Sequence, residues 1–137
     1  PSLYTGMKAA DLLAQYGVSA GVIDLRWINP LKYETLIESV KKTGRCVMVT
    51  DSSERGSYLH TVASNLTRLA FDFLDGPIVV VGSQNWITPP AEMEQFFFAH
   101  AVNVVDAIHE QILPIAGYVP TLNYTDGEFL RTSAKGV

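Results

Sequence analysis

A chain of 137 residues is the size of a single domain with its own core, and a composition of 47% hydrophobic and 18% charged residues predicts apolar surface left over for a partner. The net charge of −4, with no basic run longer than Lys41-Lys42, excludes phosphate-backbone binding as the main task. No stretch approaches the roughly 18 apolar residues of a membrane span, and the amino terminus lacks a basic-then-apolar leader pattern, so the chain reads as soluble and unexported.

Pro1 to Tyr4 read as the end of a truncated first strand. Gly6 to Tyr16 place Met7, Ala10, Leu13 and Ala14 at helical spacing, with Gly17 as the stop. Ala20 to Leu25 is a short apolar run of buried-strand character, and Pro30 breaks the chain after it. From Lys32 to Thr43, Leu36, Ile37 and Val40 line one helical face and Glu34, Glu38, Lys41 and Lys42 the other, closed by Gly44. Arg45 to Thr50 repeats the strand signature. It contains the single cysteine, Cys46, which cannot form an intrachain disulfide and reads as a structural thiol in a reducing compartment.

A polar turn, Asp51 to Ser57, leads into a helix reaching Leu74. Asp75-Gly76-Pro77 ends it, and Ile78 to Val81 is the most strand-like run in the chain. Strands separated by helices predict parallel pairing with right-handed crossovers, hence a three-layer helix-sheet-helix α/β domain with a mostly parallel sheet. A turn from Ser83 to Pro90, a short helix Ala91 to Ala99 and a closing helix Val102 to Leu113 complete a domain spanning 1–115. Residues 116–137 read as a carboxy-terminal tail without sustained periodicity. Asn65-Leu66-Thr67 and Asn123-Tyr124-Thr125 match the glycosylation tripeptide, a match common by chance.

Ligands of open parallel sheets lie beyond the carboxyl ends of the strands, which directs attention to Ser52, Ser53, Arg55, Gly56 and Ser57. Helix-start amides, hydroxyls and a guanidinium there could hold a small anion, as in a sensor or regulatory domain. The simpler reading is an ordinary cap and turn, since no G-x-G-x-x-G spacing or Walker lysine is present. Ser57 and His60 share a helical face, the spacing a nucleophile and base would need. No strained G-x-S-x-G elbow accompanies them, and a hydrogen-bonded structural histidine is the better reading. His100 and His109 have no cysteine or paired carboxylate at ligand spacing, so no metal site is predicted.

Phe96, Phe97 and Phe98 occupy consecutive helical positions and cannot all face one core at ~100° per residue. Trp27 and Trp86 fall in loops. These five residues are the predicted contact surface, with cover by the tail as the alternative.

Three stretches carry a family resemblance: Gly17-Val18-Ser19-Ala20-Gly21-Val22-Ile23-Asp24-Leu25-Arg26, Asn29-Pro30-Leu31, and Ile37-Glu38-Ser39-Val40-Lys41-Lys42-Thr43-Gly44-Arg45. Ala70-Phe71-Asp72-Phe73-Leu74-Asp75-Gly76-Pro77 and Pro89-Pro90-Ala91 with Glu94 extend it. In this order they resemble the carboxy-terminal domain of the beta subunit of thiamine-diphosphate-dependent 2-oxoacid dehydrogenases, which act on pyruvate, branched-chain 2-oxoacids or acetoin. The same domain type closes transketolases, so a transketolase-type transferase is a further alternative. Two departures stand out. Ser53-Glu54-Arg55-Gly56-Ser57 replaces a glycine-rich turn, and Ile87 stands where the family has a proline.

The resemblance implies an oxidoreductase that decarboxylates a 2-oxoacid and passes the acyl group to a lipoyl arm. Thiamine diphosphate and magnesium would lie between an alpha subunit and the beta subunit's amino-terminal domain. This chain would then hold no catalytic residue of its own and, alone, would bind no cofactor and be inactive. Its role would be assembly with the alpha subunit or part, a second beta subunit and the lipoyl acyltransferase core, in the bacterial cytoplasm or the mitochondrial matrix.

Overall fold

The computed structural model describes residues 2–120. Helices α1 (Ser2–Gln15), α2 (Tyr33–Thr43), α3 (Tyr58–Ala70), α4 (Glu94–Phe97) and α5 (Ala101–Gln111) accompany strands β1 (Val47–Ser53) and β2 (Val79–Ser83). The strands pair in parallel with Val47 opposite Val79, Met48 opposite Val80 and Val49 opposite Val81. The domain is therefore α/β with helices on both faces of a parallel sheet.

The two faces follow from the period of two along each strand. Val47, Val49, Val79 and Val81 pack with Ala9 and Leu13 of α1 and Val104, Val105 and Ile108 of α5. Met48, Ile78 and Val80 turn the other way, onto Leu36 and Val40 of α2 and Val62, Ala63 and Leu66 of α3. Leu13, Val40, Val62, Leu66, Val104 and Val105 are fully buried, and each such side chain contributes about 1.5–3 kcal/mol.

Helix ends follow local chemistry. Gly17 has φ 76° and Gly44 φ 70°, the left-handed conformation that a helix stop requires. The Val18 amide reaches back to the Leu13 carbonyl at 3.0 Å, and the Gly44 amide to Val40 at 2.7 Å. In α2, Glu34 in the first turn and Lys41 and Lys42 in the last complement the helix dipole.

Four expectations change. Ser2 to Tyr4 form the first turn of α1, not the end of a strand, so that helix starts four residues before Gly6. The helix predicted to reach Leu74 ends at Ala70 and continues as a 3-10 turn, Phe71–Phe73. The helix predicted for Ala91 to Ala99 is a 3-10 turn, Ala91–Met93, followed by the four-residue α4. Ala20 to Leu25 forms no strand: Val22 and Ile23 are 44% and 39% exposed, and the segment runs past β1 without pairing. Strand preference measures fit to a neighbouring strand more than an intrinsic backbone choice, and this run has no adjacent edge. A cis Asn29-Pro30 bond lies in the same connection.

Candidate functional site

The turn after β1 is built largely from its own hydrogen bonds. Ser52 and Ser53 belong to β1 itself. The Ser52 amide donates to Thr50 Oγ1 at 3.1 Å and the Arg55 amide to Ser53 Oγ at 3.2 Å, while the Glu54 amide crosses to the Ser83 carbonyl at 2.8 Å. Gly56 takes φ 69°, and Ser57 occupies the cap position of α3 in extended conformation. Its hydroxyl makes no cap bond, and it is buried without a partner among the described residues. Arg55 is exposed and engaged in an interaction.

His60 does not activate Ser57. Its Nε2 hydrogen-bonds the Glu54 carbonyl, fixing the turn against the first turn of α3. The structural role expected for this histidine stands, and the structure does not support a nucleophile-base pair.

The aromatic residues divide. Phe97 is only 6% exposed and packs edge-on against Phe98 at 4.9 Å and tilted against Trp86 at 6.4 Å. Its carbonyl accepts from the Gln84 amide at 2.9 Å, which ties α4 to the end of β2. Phe97 is thus used for the domain's own packing. Phe96, Phe98 and Trp86 are half-buried, and the Trp86 indole N–H is buried without a partner among the described residues. Trp27 is 77% exposed and Ile87 94%. Of the predicted contact residues, Trp27 is the one left fully on the surface. Cover by the tail, residues 116–137, rests on a segment of which 121–137 lie outside the described residues.

One polar cluster carried no sequence expectation. Asp106 of α5, 5% exposed, accepts the Tyr118 hydroxyl at 2.5 Å. The Tyr118 ring stands edge-on to Tyr16 at 5.2 Å and to His109 at 5.4 Å, and His109 Nδ1 accepts the Ile115 amide at 2.9 Å. Together they bind the chain after α5 onto α1 and α5. A lone aspartate inside the apolar run Val104 to Ile108 was the available signal, because buried carboxylates are retained with partners.

A cavity of about 570 Å³ runs along the unpaired edge of β1. Ala9, Leu13, Val22, Val47, Val49 and Ile108 are typical of its wall. Its charged lining residues are Asp24 and Arg45, and Asp24 is held by Arg26 at 2.9 Å. Beside the aliphatic side chains the lining carries Ser2, Ser19, Ser39, Thr43, Thr50, Ser52 and Tyr58 but a single carboxylate, Asp24, already held by Arg26, which does not make the carboxylate site that a diphosphate's magnesium takes. Among the described residues no group of three or more His, Cys, Asp or Glu is placed to hold a metal ion, and no helix is long and apolar enough to cross a membrane.

Comparison with known proteins agrees with the fold. Residues 1–104 match the family model described as Transketolase, C-terminal domain. The chain is 40% identical over 107 residues to the mitochondrial pyruvate dehydrogenase E1 component subunit beta of Saccharomyces cerevisiae, covering 76% of this chain and 29% of that one. It is 38% identical over 103 residues to the Rhizobium meliloti subunit of the same name, covering 74% and 22%. Against the Bacillus subtilis subunit the identity is 30% over 104 residues, covering 76% and 32%. The chain thus spans less than a third of the length of these relatives. With two helices on each face of a parallel sheet and a family match over most of its length, the chain belongs to the transketolase C-terminal domain family.

Proposed function

We propose that this chain is the carboxy-terminal assembly domain of a thiamine-diphosphate-dependent 2-oxoacid dehydrogenase beta subunit, at residues 1–115, with 116–137 as an appendage. The observation that carries this reading is the similarity over about three quarters of the chain to subunits named pyruvate dehydrogenase E1 component subunit beta. An exposed Trp27 beside a 55% exposed Ile28, and the bare Ile87, support a contact role, because large apolar side chains are favoured at the centres of protein interfaces. The whole enzyme would decarboxylate a 2-oxoacid oxidatively and load a lipoyl arm, in the bacterial cytoplasm or the mitochondrial matrix. Its partners would be an alpha subunit, a second beta subunit and the acyltransferase core.

Thiamine diphosphate supplies the carbanion chemistry when bound, and the groups that hold it would come from elsewhere in the assembly. Anion holding by Ser52 to Ser57 is the weaker use of the β1 turn, since Ser53, Glu54 and His60 already bond within it. Calorimetric titration of the 137-residue chain with thiamine diphosphate and magnesium should give no binding heat, while the full beta subunit should copurify with its alpha partner. Tight cofactor binding by the 137 residues alone would overturn the assignment.

A further inference from the structure

The chain that follows α5 is held by groups whose bonding turns on one proton. The Ile115 amide donates to His109 Nδ1 at 2.9 Å. An amide N–H cannot accept, so Nδ1 carries the lone pair, the ring proton sits on Nε2, and His109 is a neutral imidazole in this arrangement. The second anchor is Tyr118. Its hydroxyl donates to Asp106 Oδ1 at 2.5 Å, and its ring meets Tyr16 and His109 edge-on at 5.2 and 5.4 Å. Between the anchors, Gly117 at φ 76° and a bond from the Tyr118 amide to the Ile115 carbonyl at 3.2 Å close a tight turn.

Protonation of His109 would replace an acceptor with a donor at the atom the Ile115 amide uses. It would also create a competitor for the second anchor. Asp106 lies three residues back on α5, within reach of a charge-assisted bond from an imidazolium, and its carboxylate is the one that receives the Tyr118 hydroxyl. One proton thus acts on both anchors. Among the described residues, Tyr118 faces the imidazole from the chain after α5, and Tyr16 stands behind it at the end of α1. Glu110, next along α5, and Lys8 and Asp11, the charged residues of α1, are exposed, while β1 and β2 meet α5 through Val47, Val49, Val79 and Val81.

We propose that residues 114–120 are a pH-sensitive strap, latched across the ends of α1 and α5 while His109 is neutral and loosened when it is protonated. The latched state requires the neutral ring and the open state accepts either form. Latching is therefore strongest at higher pH and is lost as pH falls through the span of about 8 to 5 in which histidines change charge. Opening lifts Ile115, 3% exposed when latched, out of the core it shares with Leu13 and Ile108. The inference is independent of the assembly role, since it concerns α5 and the chain beyond it and not the exposed aromatics.

Hydrogen exchange on the full polypeptide tests it, with each rate corrected for the intrinsic effect of pH. Between about pH 8 and 5.5, protection of the Ile115 and Tyr118 amides should fall roughly tenfold, the scale of one buried donor losing its acceptor, while the Gly44 amide, bonded to Val40, keeps its protection. His109→Gln supplies an oxygen acceptor that does not titrate and should hold the strap at both pH values; His109→Leu should leave it loose at both. Equal wild-type protection at the two pH values, or a fall that survives in His109→Gln, would overturn the proposal. A second measurement needs no variant. In polypeptide carrying nitrogen-15 histidine, the His109 resonances at pH 8 should show the proton on Nε2 and a bare Nδ1, and a protonated Nδ1 there would equally overturn it.

Discussion

Cys46 shows how little of a residue's behaviour its type alone decides. It begins the run into β1, and burial pushes its thiol from 9.0 up to about 11. Below pH 9 the thiol is protonated in both folded and unfolded chains and contributes no pH dependence. Between 9 and 11 the unfolded chain has released its proton and the folded one has not, so stability falls as pH rises, by at most about 1.4 kcal/mol per pH unit. The urea midpoint should therefore drop more between pH 8.5 and 11 in the wild type than in Cys46→Ala. Parallel curves would show that burial of the thiol is not coupled to folding. The apolar neighbours of Cys46 made a structural thiol legible in the sequence. The link between Asp106 and Tyr118 was not, because it joins the middle of a helix to a segment beyond Pro114 that has no periodicity.

Among the elements, those with local stop signals and a face to bury could be read in advance. Helix α2 ends at the predicted Gly44, with Leu36 and Val40 inward as expected. Ala20 to Leu25 failed because its composition describes an environment, a place between two strands, that the described residues do not supply. Where β1 and β2 separate, the sequence was equally silent. Between the pairs Val49–Val81 and Ser53–Ser83, β1 advances four residues and β2 two. Gly82 sits in this irregularity, and a Cβ there would lie 2.5 Å from the Ser52 carbonyl oxygen and 2.9 Å from the Glu54 nitrogen. Both are backbone atoms and cannot rotate away. Gly82→Ala should therefore destabilise the domain by about 1–3 kcal/mol, the usual cost of overpacking, and loosen the β1 turn. A melting temperature within a degree of the wild type would show that the strands separate freely there.

At the scale of the whole molecule, the composition left more apolar surface than one small domain can hide, and the structure shows where some of it lies. Trp27 sits on the connection between α1 and α2, and Ile87 lies on the turn after β2. Phe97, read from sequence as a contact residue, instead fills the domain's own packing, because a run of three phenylalanines does not reveal which one its neighbours enclose. If Trp27 and Ile87 meet partner subunits, truncating them removes buried contact area while leaving the free domain untouched. A buried interface tryptophan is commonly worth 2 kcal/mol or more, about 30-fold in affinity. Trp27→Ser and Ile87→Ser, separately and together, should weaken association of the beta subunit with its partners by tenfold or more while the melting temperature stays within about two degrees. Affinities unchanged in all three variants, measured by sedimentation of the assembled enzyme, would place the subunit contacts on another face and leave these side chains as ordinary surface residues.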